Sequence, residues 1–179
     1  MKKIALILLA LLCMLGTVAC AEESNAPDNM HDVAAKNAAF HLYVPLSWTA
    51  STDGGASGAV SPMGDGANVT VIPKMIENEN EDTPEEYWQN VCLPAYQKAG
   101  SPLAEFNLVT DKCGDTSLGE KSAKRYVFTY RMDEQYFEVM QIITVAGDHL
   151  YTLTFTAKND RYDSYADQVE QIRAAFVFR

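Results

Sequence analysis

The most regular pattern lies in the last third of the chain. Residues 123–132, 136–145 and 149–157 form three runs rich in β-branched and aromatic side chains, separated by Met132-Asp133-Glu134-Gln135 and Ala146-Gly147-Asp148. Turns this short join antiparallel neighbours, because parallel strands need a long crossover. In the third run Tyr151, Leu153 and Phe155 fall on one face and Thr152, Thr154 and Thr156 on the other, so the pattern predicts a meander. Shorter strands are expected at Phe40-His41-Leu42-Tyr43-Val44 (closed by Pro45), near Ala59-Val60-Ser61, at residues 68–73 and near residues 105–110.

Two segments have helical periodicity. Thr83-Pro84-Glu85-Glu86 combines a capping residue, a proline suited to the first helical position and a glutamate that completes a capping box. The helix continues through Tyr87, Trp88, Val91 and Cys92 towards Gly100, and Pro94 should kink or divide it. Near the C-terminus Tyr162, Tyr165, Val169, Ile172 and Phe176 make one apolar stripe, with Asp160 or Asp163 as the expected cap and Val177-Phe178 as a last extended piece. Together these elements predict an α+β domain, an antiparallel sheet with helices packed on it.

The N-terminus belongs to no such pattern. Met1-Lys2-Lys3 precedes an almost unbroken apolar stretch over residues 4–15, which is the form of a secretory signal peptide and too short to span a bilayer comfortably. Thr17-Val18-Ala19-Cys20 resembles a lipobox, with Thr17 where leucine is usual, and makes Cys20 the expected lipidation site. Cleavage before Glu22 by ordinary signal peptidase, giving a freely secreted protein, is the alternative in the same residues. The polar stretch from Ala21 to Asn29 lacks the apolar content needed to order itself, and residues 21–37 are read as a tether ahead of a domain at 38–179. The expected location is thus extracytoplasmic, at the bacterial cell membrane through a lipid anchor on Cys20.

Composition narrows the partners. The formal net charge is −10, and loss of Lys2 and Lys3 with the leader makes it two units more negative. Such a surface repels phosphate backbones and anionic headgroups, which argues against nucleic acid and against docking on lipid by charge. Of four cysteines, Cys13 leaves with the leader and Cys20 is lipidated or removed. Cys92 and Cys113 remain together in a non-reducing compartment, so a disulfide between them is expected, with two free thiols as the alternative. A loop of that length would contribute about 3 kcal/mol in the chain-entropy model.

Candidate chemistry is sparse. His31, His41 and His149 have no partner at a metal-ligand spacing. Neither Ser57 nor Ser117 sits in a nucleophile elbow, and no P-loop or dinucleotide fingerprint occurs. Glu77, Glu79, Glu81 and Asp82 supply the oxygen donors calcium needs, but not in an EF-hand spacing, so a solvated loop is the plainer reading. Tyr126, Phe128, Tyr130, Tyr136 and Phe137 crowd neighbouring strands, either as a ligand groove or, more simply, as core beneath a helix.

The order of the motifs resembles the PsbP-like domains. Val44-Pro45-Leu46-Ser47-Trp48 is similar to that family's F-x-I-x-x-P-x-x-W opening. Tyr126-Val127-Phe128-Thr129-Tyr130, the run from Tyr151 to Ala157, and the helix ending Ile172-Arg173-Ala174-Ala175-Phe176 are similar to its C-terminal half. The resemblance implies an antiparallel sheet flanked by helices on both faces, and relatives that are mostly binding or accessory proteins, including bacterial lipoproteins. No functional residue of the family maps onto this chain. The resulting expectation is a non-enzymatic binding or accessory domain with an envelope protein partner and no cofactor. A small-ligand or calcium/manganese binder, and a hydrolase with an unrecognised site, are the alternatives.

Overall fold

The structure, a computed structural model, describes residues 26–51 and 56–179. The expected leader, Cys20 and the start of the tether lie outside those residues. The strands in chain order are β1 (Met30–Asp32), β2 (Phe40–His41), β3 (Tyr43–Pro45), β4 (Thr49–Ser51), β5 (Ser57–Val60), β6 (Asn68–Met75), β7 (Ala104–Leu108), β8 (Gly114–Leu118), β9 (Lys121–Met132), β10 (Gln135–Ala146), β11 (His149–Lys158) and β12 (Val177–Phe178). The helices are α1 (Pro84–Tyr87), α2 (Leu93–Gln97) and α3 (Ala166–Ala175).

The expected meander forms the centre of an eight-stranded antiparallel sheet in the order β4-β5-β6-β11-β10-β9-β7. Both hairpins close tightly, pairing Gln135 with Met132 and Ala146 with His149, and Asp133 and Gly147 supply the positive φ their turns require. The outer edge of β9 is shared end to end: β8 pairs with its first half and β7 with its second. Between them the edge breaks in a 3-10 turn, Thr110–Lys112.

Strand alternation divides the sheet side chains between two cores. On one face Ala123, Val127, Met140, Ile142, Leu153 and Phe155 pack beneath α3 and the N-terminal strands. On the other, Tyr126, Phe128, Val139, Ile143 and Leu150 pack beneath the segment holding α1 and α2. The expected helix-on-both-faces architecture is therefore present.

That second segment is divided, as its proline requires. Thr83 caps α1: its Oγ1 accepts from Glu86 N at 3.1 Å and donates to Glu86 Oε2 at 2.8 Å. Trp88–Cys92 then widen into a π turn, Leu93 N donating to Trp88 O, and α2 restarts with Pro94 in its first turn. Proline has no N–H to give, so the wider turn resets the bonding register there.

Three expectations fail. Neither Asp160 nor Asp163 caps α3, which is entered from a 3-10 turn, Tyr162–Tyr165, with no side-chain cap. Order also begins inside the stretch read as tether: β1 pairs with β3, and Val33 is buried in the core. The Cys92–Cys113 bridge is not formed; both thiols are free. Cys113 Sγ has another task at the broken edge of β9, where it accepts from Val127 N at 3.3 Å and lies 3.3 Å from Val109 O as donor. Cys92 is buried in the second core, against which Tyr87 and Tyr96 also pack.

Candidate functional site

A cleft of about 300 Å³ opens on the α3 face of the sheet, at the break between β7 and β8. Its floor is apolar: Val127 of β9, Met140 of β10 and Phe155 of β11. These positions alternate inward on three adjacent strands, so strand periodicity alone brings them together. One wall is the 3-10 turn with Asp111 and Lys112, and the other is the entry to α3 with Tyr162, Ala166 and Glu170. Arg125, two residues before Val127 on the same face of β9, completes the lining.

Most of the charges in the cleft are already matched. Glu138, buried on β10, accepts from Lys112 Nζ at 2.8 Å. That hydrogen bond holds the Lys112 ammonium above the ordinary lysine range against the opposing effect of burial. The ammonium also lies 5.1 Å from the centre of the Tyr162 ring and 3.4 Å from exposed Asp163. Burial, reinforced by the nearby Glu138 charge, pushes the Tyr162 phenol up, so its hydroxyl stays protonated. Glu170 accepts from Arg173 Nε at 2.9 Å, which keeps its carboxyl below the usual range. Arg125 differs: its Nε donates to the Lys112 carbonyl at 3.0 Å, and among the described residues it forms no ion pair, although its charge acts on Glu170 and helps keep that carboxyl low.

The PsbP family profile matches residues 28–178, nearly the whole described chain. The chain belongs to the PsbP family. Solved structures with this PsbP fold include LpqN of Mycobacterium tuberculosis, described as involved in cell envelope biogenesis. It is 17% identical, the match covers 83% of this chain and 89% of that one, and the TM-score is 0.63. The cyanobacterial PsbP of Synechocystis sp. PCC 6803 is 12% identical, with 86% and 95% covered and a TM-score of 0.63. The Ran-binding protein Mog1p of Saccharomyces cerevisiae is 8% identical, with 84% and 95% covered and a TM-score of 0.57. No curated protein matches the chain significantly. At these identities the likeness shows a shared fold.

The residues singled out in the sequence mostly have structural roles in this PsbP domain. Tyr126 stacks on Trp88 with ring centres 4.1 Å apart, and Phe128 packs against Trp88, Tyr96 and Phe106, so the aromatic stripe is core beneath the α1–α2 segment. Tyr136 stands apart on the surface, donating to Glu105 Oε2 at 2.6 Å. In the acidic run Glu81 is buried and pairs with Lys74. Among the described residues no three His, Cys, Asp or Glu side chains gather as a metal site. Nor is any helix among them long and apolar enough to cross a membrane.

The histidines separate. His31 Nε2 contacts the Trp48 carbonyl at 3.1 Å, and His41 joins Asp32 at 2.7 Å and Arg179 at 3.1 Å. His149 pairs with Asp148 at 2.5 Å and shares a second cleft, about 320 Å³, with Ser57. The trio has the composition of a hydrolase triad, but the sheet keeps it apart. Ser57 is in register with Val71 and His149 with Met75. Four residues along β6 separate the two by roughly 13 Å at ~3.3 Å per residue. Ser57 Oγ is instead bonded to the Ala35 amide at 2.9 Å.

Nothing in the sequence pattern pointed to the Arg125 cleft. Its residues come from the broken edge, three strands and the approach to α3, and no spacing links them. The available signal was Arg125 itself, a charge among inward-facing positions of a strand otherwise buried there.

Proposed function

We propose that the protein is a non-enzymatic accessory domain of the cell envelope, lipid-anchored through Cys20, with the Arg125 cleft as its recognition surface. The observation that carries this reading is the cleft: an apolar floor, ion-paired walls and a guanidinium, Arg125, without an ion pair among the described residues, an arrangement suited to holding a ligand. Ion pairing engages Lys112, Glu138 and Glu170, leaving none of them as a free base. The anchor is supported by the leader and by Thr17-Val18-Ala19-Cys20. The fold shared with LpqN, a protein of envelope biogenesis, is consistent with that address.

Fractionation in the native host, with the intact mass of the mature chain, tests the reading. The wild-type protein is expected in the membrane fraction beginning at acylated Cys20, and Cys20→Ala in the soluble fraction. A mature chain beginning at Glu22 would remove the anchor. Turnover in a broad ester and peptide screen, abolished by one substitution, would remove the non-enzymatic role.

A further inference from the structure

The five arginines of the chain divide unequally. Arg131, Arg161, Arg173 and Arg179 each meet a carboxylate, on Glu105, Asp65, Glu170 and Asp32 respectively. Among the described residues Arg125 has only the Lys112 carbonyl as hydrogen-bond acceptor, through Nε. That bond fixes the plane of the guanidinium and leaves its two terminal nitrogens without an acceptor among the described residues, on the wall of a cleft with an apolar floor. Among the described residues, half-buried Arg125 is the arginine without an ion pair, and the charge of Glu170 acts on it only at longer range. A guanidinium fork matches a carboxylate with two parallel hydrogen bonds.

We propose that the cleft is a receptor for a compact monocarboxylate bearing an apolar substituent. The carboxylate docks on the terminal nitrogens of Arg125, and its hydrocarbon part lies on Val127, Met140 and Phe155. The size follows from the volume, which is at the lower end of the roughly 300–1,000 Å³ of small-ligand sites. The single charge follows from the surroundings. Glu138, Glu170, Asp111 and Asp163 all approach the cleft, and a dianion or phosphate would meet their combined repulsion. A cationic ligand would instead face the Arg125 guanidinium and the Lys112 ammonium on the same lining. Two sources present this chemistry: a free aryl or short-chain acid, and the C-terminal carboxylate of a partner chain ending in an apolar residue. The proposal rests on the reading of the cleft as the recognition surface.

The test is a calorimetric titration of the full mature protein in detergent. The probes are phenylacetate, an acetylated Ala-Ala-Leu peptide with a free C-terminus, the same peptide as its amide, succinate and inorganic phosphate. Binding of phenylacetate or the peptide acid is expected, with at least tenfold weaker binding of the amide, succinate and phosphate. Arg125→Gln is expected to weaken the bound probe at least tenfold. Ala166→Phe keeps Arg125 and fills the cleft from an exposed helical position, so it should do the same with the thermal midpoint unchanged. Binding of phenylacetate alone identifies a free acid as the source; tighter binding of the peptide acid identifies a chain terminus. No binding of either acid at millimolar concentration overturns the proposal, as does binding that Arg125→Gln or amidation leaves unchanged. If a purified envelope partner binds wild type and Arg125→Gln alike, the carboxylate proposal fails while the accessory-domain reading stands.

Discussion

At the level of single residues, the region around the cleft is held by side chains that complete backbone or charge networks. Cys113 is the plainest case. The edge of β9 passes from β7 to β8 across a turn, and the Val127 amide at that gap finds its acceptor in Cys113 Sγ at 3.3 Å. Cys113→Ala leaves that amide without a partner and is expected to cost about 1–2 kcal/mol in urea unfolding. Cys113→Ser restores an acceptor and should recover most of the loss; equal destabilisation by the two would show that the sulfur only fills space.

Asp65 makes a comparable argument through pH. Burial would raise its pKa, but hydrogen bonds from the Tyr165 hydroxyl (2.8 Å) and the Ala67 amide, with the charge of Arg161, hold it below the ordinary range. A carboxylate with a depressed folded pKa contributes stability above its unfolded pKa, near 3.9, and loses it as pH falls through the lower folded value. Asp65→Asn should therefore destabilise the protein at pH 7 and progressively less below about pH 4. Urea midpoints of both proteins at several pH values measure this, and a pH-independent difference would contradict it.

At the level of elements, the α1–α2 segment shows packing prevailing over propensity. α1 is four residues long and α2 five, far below what stands alone in water. The segment is held by Trp88, fully buried against Tyr126 and Phe128. Thr83→Ala, which removes the cap, is expected to cost about 1 kcal/mol. Trp88→Ala empties the core beneath the π turn and is expected to cost about 3–5 kcal/mol. Chemical denaturation of the two variants decides the order, and a larger loss from the cap would reverse the account.

The same contrast explains what was readable from the sequence. The meander was legible because its strands alternate strictly and their turns are short. The division at Pro94 followed from one missing N–H. β8 escaped notice because Gly114–Leu118 is polar and mostly exposed, with only Leu118 buried, so no periodicity marks it. β1 hid for a similar reason, its residues being half-buried or exposed and recruited by β3. The cleft was invisible because the positions forming it share no local signal, only a tertiary address.

At the level of the whole molecule, the free thiols bear on how the domain would keep its state in the oxidising setting proposed for it. A chain expected outside the cytoplasm with two remaining cysteines invites a bridge, yet the fold occupies both sulfurs in other ways. Cys92 is only 6% exposed, and burial pushes its thiol up to about 11, so the reactive thiolate is scarce at neutral pH. Cys113 is tied to the backbone at the β9 edge, and a bridge would take it from the Val127 amide. Oxidation is then gated by opening of the second core, in which Cys92 is buried and against which Cys113 packs. Intact mass should show no gain of two hydrogens on reduction. N-ethylmaleimide at neutral pH should label Cys92 at a rate that follows global stability, slow in the native protein and faster in Trp88→Ala. Rapid labelling of native Cys92 would mean that the helical segment opens locally, without unfolding of the sheet. A two-hydrogen gain would mean that the cysteines pair after all, and that the β9 edge rearranges to release Cys113.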